Sequence, residues 1–147
     1  MTTMREDFEM WLFDMDDALD RFINAMPNEL GFSLDFSEAS LDHIENWLLD
    51  QYKDHTKLLE IDNKEIHDGL SRYIGETFRK HLNAKWDIRF DDPKFAFYGL
   101  PILVEKENGN TIICAHTLVT TAVARRTGTF LSTILRNNIK RLGTRSS

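Results

Sequence analysis

Residues 62–90 read DNKEIHDGLSRYIGETFRKHLNAKWDIRF, and two repeats of different period meet inside them. In the first part Ile66, Leu70, Tyr73, Ile74, Phe78 and Leu82 recur every three or four residues, the spacing of one face of an α-helix. Asp62 and Glu65 stand at the start in capping-box spacing, and Asn83 suits a left-handed cap at the end. Beyond Asn83 the period drops to two: Trp86, Ile88 and Phe90 alternate with Asp87 and Arg89, as along a half-buried strand. Gly75 in mid-helix costs about 1 kcal/mol relative to alanine, so a neighbouring element is expected to lie too close there for a side chain. Ser71 and Gly75 form a small-residue seam, and Trp86 would begin the strand that covers it.

Downstream, Phe95–Tyr98 and Pro101–Glu105 read as further strands, and Asn108-Gly109 supplies a turn into Thr111–Cys114. Helical spacing then returns with Leu118, Ala122 and Val123, breaks at Thr127-Gly128, and resumes through Phe130, Leu131, Ile134, Leu135, Ile139 and Leu142. Upstream, Phe8, Trp11, Leu12, Met15, Leu19, Phe22, Ile23 and Met26 mark one amphipathic helix over residues 4–26, which Pro27 closes. Gly31–Phe36 alternates like a short strand. Ser37 or Ser40 caps a second helix with Leu41, Ile44, Trp47, Leu48 and Tyr52 on its apolar side, and Lys53–Ile61 reads as a charged loop. The expectation is an α+β fold in one domain over residues 1–147, with an antiparallel sheet of three to five strands and the N- and C-terminal helices packed mainly on one of its faces.

Hydrophobic residues at 41% of the 147 suffice for a core and exclude a chain disordered throughout. The longest aliphatic run, Leu100–Val104 with Pro101 inside it, is far short of the roughly 20 residues of a membrane span. The start, MTTMREDFEM, has neither the basic nor the apolar region of a secretory signal, so a cytoplasmic protein is expected. One cysteine, Cys114, excludes an internal disulfide. Charge is divided unevenly: residues 1–68 hold 18 acidic against 5 basic groups, net −13, and residues 69–147 hold 6 against 13, net +7. From Ala124 onward Arg125, Arg126, Arg136, Lys140, Arg141 and Arg145 meet no acid. Either the halves fold together and neutralise, or each offers a field to a partner. The tail lacks interleaved aromatics and the whole chain is acidic, which argues against nucleic acid.

Catalytic patterns are thin. Asp16, Asp17 and Asp20 spell the DDxxD of isoprenoid synthases, without the long helical bundle or the second aspartate-rich helix. Glu6 and Glu9 with Glu65 and Asp68 mimic the paired acids of helical pyrophosphohydrolases, but more than fifty residues separate the pairs. His43, His55, His67, His81 and His116 show no metal spacing. Cys114 with His116 is the nearest thiol pair, although Cys114 follows Ile112 and Ile113 as a small core residue would. Arg125, Arg126 and the Thr127-Gly128-Thr129 helix start could hold a phosphate. No cofactor or metal is expected.

Two sites compete. Helical projection of residues 4–26 gathers Glu6, Glu9, Asp16, Asp17, Asp20 and Asn24 opposite the apolar stripe with Phe13 in their midst, which suits docking of a basic protein through Glu9, Phe13, Asp16, Asp17 and Asp20. This favours a non-enzymatic binding domain. The alternative is a small enzyme or ligand-binding protein with a pocket between the third helix and the sheet, lined by Tyr73, Glu76, His81, Trp86 and Tyr98. Of these, His81 projects onto the apolar stripe, and Glu76 onto a charged side with Arg72, Arg79 and Lys80.

The block Tyr73-Ile74-Gly75-Glu76, with Trp86 ten residues after Glu76, resembles an element of small uncharacterised bacterial domains that carry Tyr, Ile or Val, Gly and Glu on a helix and a Gly-rich turn before Trp. Here Asn83-Ala84 stands where the glycine falls. The likeness spans roughly residues 30–142 in element order, and such domains resemble, more loosely, those found beside polymorphic toxins. It implies an immunity or adaptor factor and brings no catalytic residue.

Overall fold

The computed structural model describes residues 3–143. Among them lie helices α1 (Met4–Phe13), α2 (Met15–Ala25), α3 (Asn28–Ser33), α4 (Glu38–Gln51), α5 (His55–Leu58) and, after a 3-10 turn (Ile61–Asn63), α6 (Lys64–His81). Strands β1 (Ala84–Asp87), β2 (Ile102–Glu105) and β3 (Thr111–Ile113) follow, then α7 (Ala115–Arg125) and α8 (Phe130–Leu142). The strands form one antiparallel sheet in the order β1-β2-β3. The fold is therefore α+β, with helices at both ends of the chain.

The register sets Trp86 opposite Leu103 and Leu103 opposite Ile113, so these three share a face. That face joins the main core, a contiguous cluster running from Met15 to Leu135 and centred on Leu70, Tyr73, Ile74 and Phe78 of α6. Gly75 lies under Trp86: a Cβ there would meet the indole Cη2 at 2.0 Å. Gly69 makes the same close contact with Phe22 of α2, where a Cβ would lie 2.3 Å from the ring. Two glycines on different sides of the helix thus let α2 and β1 each approach α6 closely.

The opposite face of the sheet, with Ile102 and Val104, is covered by Phe95, Phe97 and Leu100. Phe95–Tyr98, expected as a strand, is a run of tight turns closed by bonds three residues apart, such as Tyr98 N to the Phe95 carbonyl. A three-stranded sheet with helices on one side needs its other side sealed, and a folded aromatic plug does that where an extended fourth strand would not.

Three other expectations are corrected. The helix over 4–26 is two helices that meet at Asp14. The ladder passes through the junction, but α2 packs Leu19 and Phe22 against α6 while α1 leans towards Trp86 and, through Arg5, the Ile88 carbonyl. Gly31–Phe36 holds the end of α3, not a strand. Its alternation misleads because Phe32 is 87% exposed, and Pro27, with its fixed φ, opens a helical turn. Lys53–Ile61 contains α5, capped by Asp54 and anchored by the fully buried Leu58.

The basic tail is largely absorbed within the fold; Arg145 lies outside the described residues. Arg126 adopts a left-handed cap after α7 (φ 56°) and donates to the carbonyls of Leu49, Tyr52 and Lys53, the negative end of the α4 dipole. At the start of α8 the backbone N–H groups of Phe130 and Leu131 donate to the fully buried carboxylate of Glu45, at 3.0 and 2.8 Å. The anion seat that the sequence offers to a phosphate is filled by the chain's own side chain.

Candidate functional site

A ridge on α6 organises the surroundings of the sheet's first strand. Asp68, Arg72 and Glu76 follow one another at four-residue intervals, with Arg79 three residues on, so they stack along one side of the helix. This side is covered, not solvated: Arg72 is only 4% exposed and Glu76 is buried with it. Asp68 accepts from Trp11 Nε1 at 2.8 Å and from Arg72 Nε at 2.7 Å. Arg72 donates to the Trp11 carbonyl and lies 4.3 Å from the centre of the Trp11 ring system. Glu76 accepts from Trp86 Nε1 at 2.9 Å and from the Arg79 guanidinium. Burial pushes the Glu76 carboxyl up, but the Arg79 and Trp86 donors outweigh it and hold it below the usual range. Both indoles are therefore pinned by their N–H groups to acids of α6, and they meet edge to face at 4.9 Å.

Beside them opens a cleft of about 500 Å³ between α6, the α5 segment, the strand end at Trp86 and the start of α7. Trp11, Trp86, Leu58, Leu59, Ile61 and Pro101 give it apolar walls. Ser71, His67 and His116 supply neutral polar atoms, and Asp68, Glu60 and Lys64 supply charged ones. The two imidazoles stack at 3.9 Å with an interplanar angle of 15°. His67 Nε2 lies 2.9 Å from the His116 carbonyl, which can only accept, so Nε2 carries the proton and Nδ1 is left as an acceptor. Burial pushes both histidines below their ordinary value of 6.5, and each ring's charge would oppose the other's. At neutral pH the pair is uncharged.

Of the five residues expected to line a pocket, only Trp86 reaches this cleft. Glu76 joins it through the indole N–H but lies beneath it. Tyr73 is fully buried; its hydroxyl donates to Ser40 Oγ and accepts from Phe36 N. His81 Nε2 lies 2.9 Å from the Phe36 carbonyl, so Tyr73 and His81 both anchor the chain at Phe36, which has a positive φ of 63°. Tyr98 stands apart, packed edge to face on Phe90. Missing from that set were Trp11, His67, Ser71 and His116. Cys114 is buried, burial pushes its thiol up, and it packs with Ile102 and Val104 as a small apolar side chain.

The acidic face lies on the outer side of α1 and α2. Phe13 ends α1 and is 94% exposed, with Met10 one turn before it also exposed. Glu6, Asp7, Glu9, Met10, Phe13 and Asp14 border a shallow depression there, with Trp11 and Arg72 at its inner edge. Asp14 pairs with Arg21 at 2.8 Å. Among the described residues Glu9, Asp16, Asp17 and Asp20 form no salt bridge, and no arginine of α7 or α8 makes one with α1 or α2. Asp16, Asp17 and Asp20 share the face but belong to the second helix, beyond the junction.

No family model, no curated protein and no solved structure matches this chain. Among the described residues no group of three or more His, Cys, Asp or Glu side chains is placed to hold a metal ion, and no helix is long and apolar enough to cross a membrane.

Proposed function

We propose that the chain is a non-enzymatic, cytoplasmic protein-binding domain that presents the outer face of α1 and α2 to a basic partner, in the manner of an immunity or adaptor factor. The observation that carries this reading is Phe13, 94% exposed at the helix junction and ringed by Glu6, Glu9 and Asp14. A solvent-exposed benzyl group beside an exposed methionine gives a partner an apolar anchor. The carboxylates around it give rate and register, because they attract a basic surface from a distance and penalise an acidic one. Like charges at three- and four-residue spacing cost α2 about 0.2 to 0.5 kcal/mol per pair. Arg21, bound to Asp14, and Arg79, bound to Glu76, attract Asp17 and Asp16 only as second partners, while Arg126 is committed to the end of α4 and Arg136 to Glu38.

The test is capture from the lysate of the native host with tagged wild type and with a Phe13→Ala/Asp17→Lys double variant. A basic polypeptide held by the wild type, released as salt rises past about 0.15 M and lost from the variant, is the expected outcome. If the wild type retains nothing that the variant loses, or if what is lost is an acidic protein, the docking face is not the function.

A further inference from the structure

We infer that the cleft between α6 and the start of α7 is a binding site for an uncharged bicyclic nitrogen heteroaromatic. The ring would lie against Trp11 and Trp86 and the ring N–H would point to His67 Nδ1. This site lies on the other side of Trp11 from the depression of the acidic face.

Three features of the cleft select that class. Its size, about 500 Å³, falls within the range of small-molecule sites, and its walls are mostly apolar. Its indoles are fixed before any ligand arrives. Trp11 is held by Asp68 and Trp86 by Glu76, and Trp86 is seated on Gly75, where a Cβ would stand 2.0 Å from the ring. Because their N–H groups are already engaged, the indoles offer a ligand only aromatic surface. Pre-organised rings lose little freedom on binding, which favours affinity.

The polar atoms decide the charge of the ligand. At the inner end of the cleft Asp68 is engaged by Trp11 and Arg72, and the other charged groups of the lining, Glu60 and Lys64, are exposed at its rim, where Glu60 pairs with Lys57. The imidazoles are uncharged, in keeping with their burial. An ion seated between the indoles and the imidazoles loses its hydration away from the rim charges, whereas a neutral ring loses little. His67 Nε2 is spent on the His116 carbonyl, and no buried side-chain nitrogen or oxygen among the described residues lacks a partner. The remaining Nδ1 therefore opens to the cleft as an acceptor, and it asks for a donor.

Ligand-detected saturation-transfer NMR, with ¹H–¹⁵N spectra of the full chain, tests this with four probes: indole, adenine, N-methylindole and 2-naphthoate. Indole and adenine are expected to saturate below about 5 mM and to shift the indole Nε1 resonances of Trp11 and Trp86 while sparing Trp47. N-methylindole, which lacks the donor, should bind about five-fold more weakly than indole. The anionic 2-naphthoate should bind more weakly than indole despite its larger apolar area. His116→Ala removes the stacked ring but keeps the carbonyl that His67 needs, and it should weaken indole about five-fold, whereas Phe32→Ala on the exposed side of α3 leaves it unchanged. Absence of saturation by both indole and adenine overturns the inference. So does equal binding of N-methylindole, or tighter binding of 2-naphthoate that Lys64→Met abolishes. If His116→Ala disturbs the fold, the comparison of indole with N-methylindole on the wild type decides alone.

Discussion

Helix α4 and the α1–α2 pair are both acidic, yet their acids have opposite fates. Glu38, Asp42 and Glu45 of α4 recur at four and three residues and so face one way, towards α8. Glu38 pairs with Arg136, Asp42 accepts from Ser132 Oγ at 2.6 Å, and Glu45 closes the first turn of α8. On α1 and α2, Glu9, Asp16, Asp17 and Asp20 face outward without a salt bridge among the described residues. The charge asymmetry of the sequence is thus neutralised at one place and left open at another. An acidic helix joined to a basic one stabilises the fold, and an acidic helix left without such a counterpart is available to another molecule.

The largest consequence falls on Glu45. Its carboxylate is fully buried and satisfies two backbone donors that α8 leaves unpaired. Glu45→Ala strands those N–H groups and opens a cavity, so it should cost about 2 to 4 kcal/mol in urea unfolding. Glu45→Gln keeps the shape and one acceptor and should cost less. A Glu45→Ala variant within about 0.5 kcal/mol of wild type would mean that α8 does not depend on α4 for its cap.

Arg126 comes next. Its guanidinium bonds three carbonyls at the end of α4, and its backbone sits at φ 56°. Arg126→Gly removes the cation but suits the left-handed backbone, and Arg126→Ala removes the cation and keeps a strained residue. The first should lose about 1 kcal/mol and the second about 1 kcal/mol more. Equal losses would show that the cation, not the backbone, sets the effect.

Local pattern made much of this legible. The period change at Asn83 places α6 and β1, and Gly75 announces the close approach that Trp86 makes. What failed were short segments whose alternation was decided by neighbours: Phe32 points to solvent and Phe95–Tyr98 folds into turns under the sheet. The cleft was hidden for a different reason. His67 and His116 are 49 residues apart, and nothing local says that they stack. One signal was present and passed over. At 100° per residue His67 projects almost onto Ile74, as His81 does, and Glu45 projects between Tyr52 and Leu49, about 40° from Leu41. A polar residue on an apolar stripe marked both the α8 cap and the histidine pair. The ridge Asp68–Arg72–Glu76 misled the other way, since a charged stripe at helical spacing reads as solvated until two indoles are seen to cover it.

The histidine pair gives a pH dependence that the outer face does not. Burial lowers the folded-state values of His67 and His116 below the unfolded value of about 6.5, so the folded chain binds fewer protons there. Their contribution is complete above pH 6.5 and is lost as pH falls through the folded values. Thermal unfolding between pH 7.5 and about 5.5 should therefore show declining stability. His116→Ala should flatten that decline, because removing one ring leaves His67 less buried and spares it the neighbour's charge. Parallel profiles for the two proteins would remove the pair from the account of acid sensitivity.

The smallest effect on stability separates the two helices most directly. Asp20 lies four residues from Asp16 and three from Asp17, on the turn of α2 farthest from the helix start of these three acids. The positive end of the dipole favours Asp16 and Asp17 in the first turn and does little for Asp20, so repulsion dominates at that position. Asp20→Asn should leave the fold unchanged or raise its stability by up to about 0.5 kcal/mol, an effect that shrinks as salt is added. The opposite is expected for α4, where neutralising Asp42 to Asn weakens the bond from Ser132 and destabilises. A gain at one acid and a loss at the other, in chains that differ by one oxygen-for-nitrogen exchange, follows only if the acids of α4 serve the chain itself and those of α2 do not. A loss at Asp20 comparable to that at Asp42 would mean that α2 already has its countercharge within the fold, and the case for an outside partner at Phe13 would go with it.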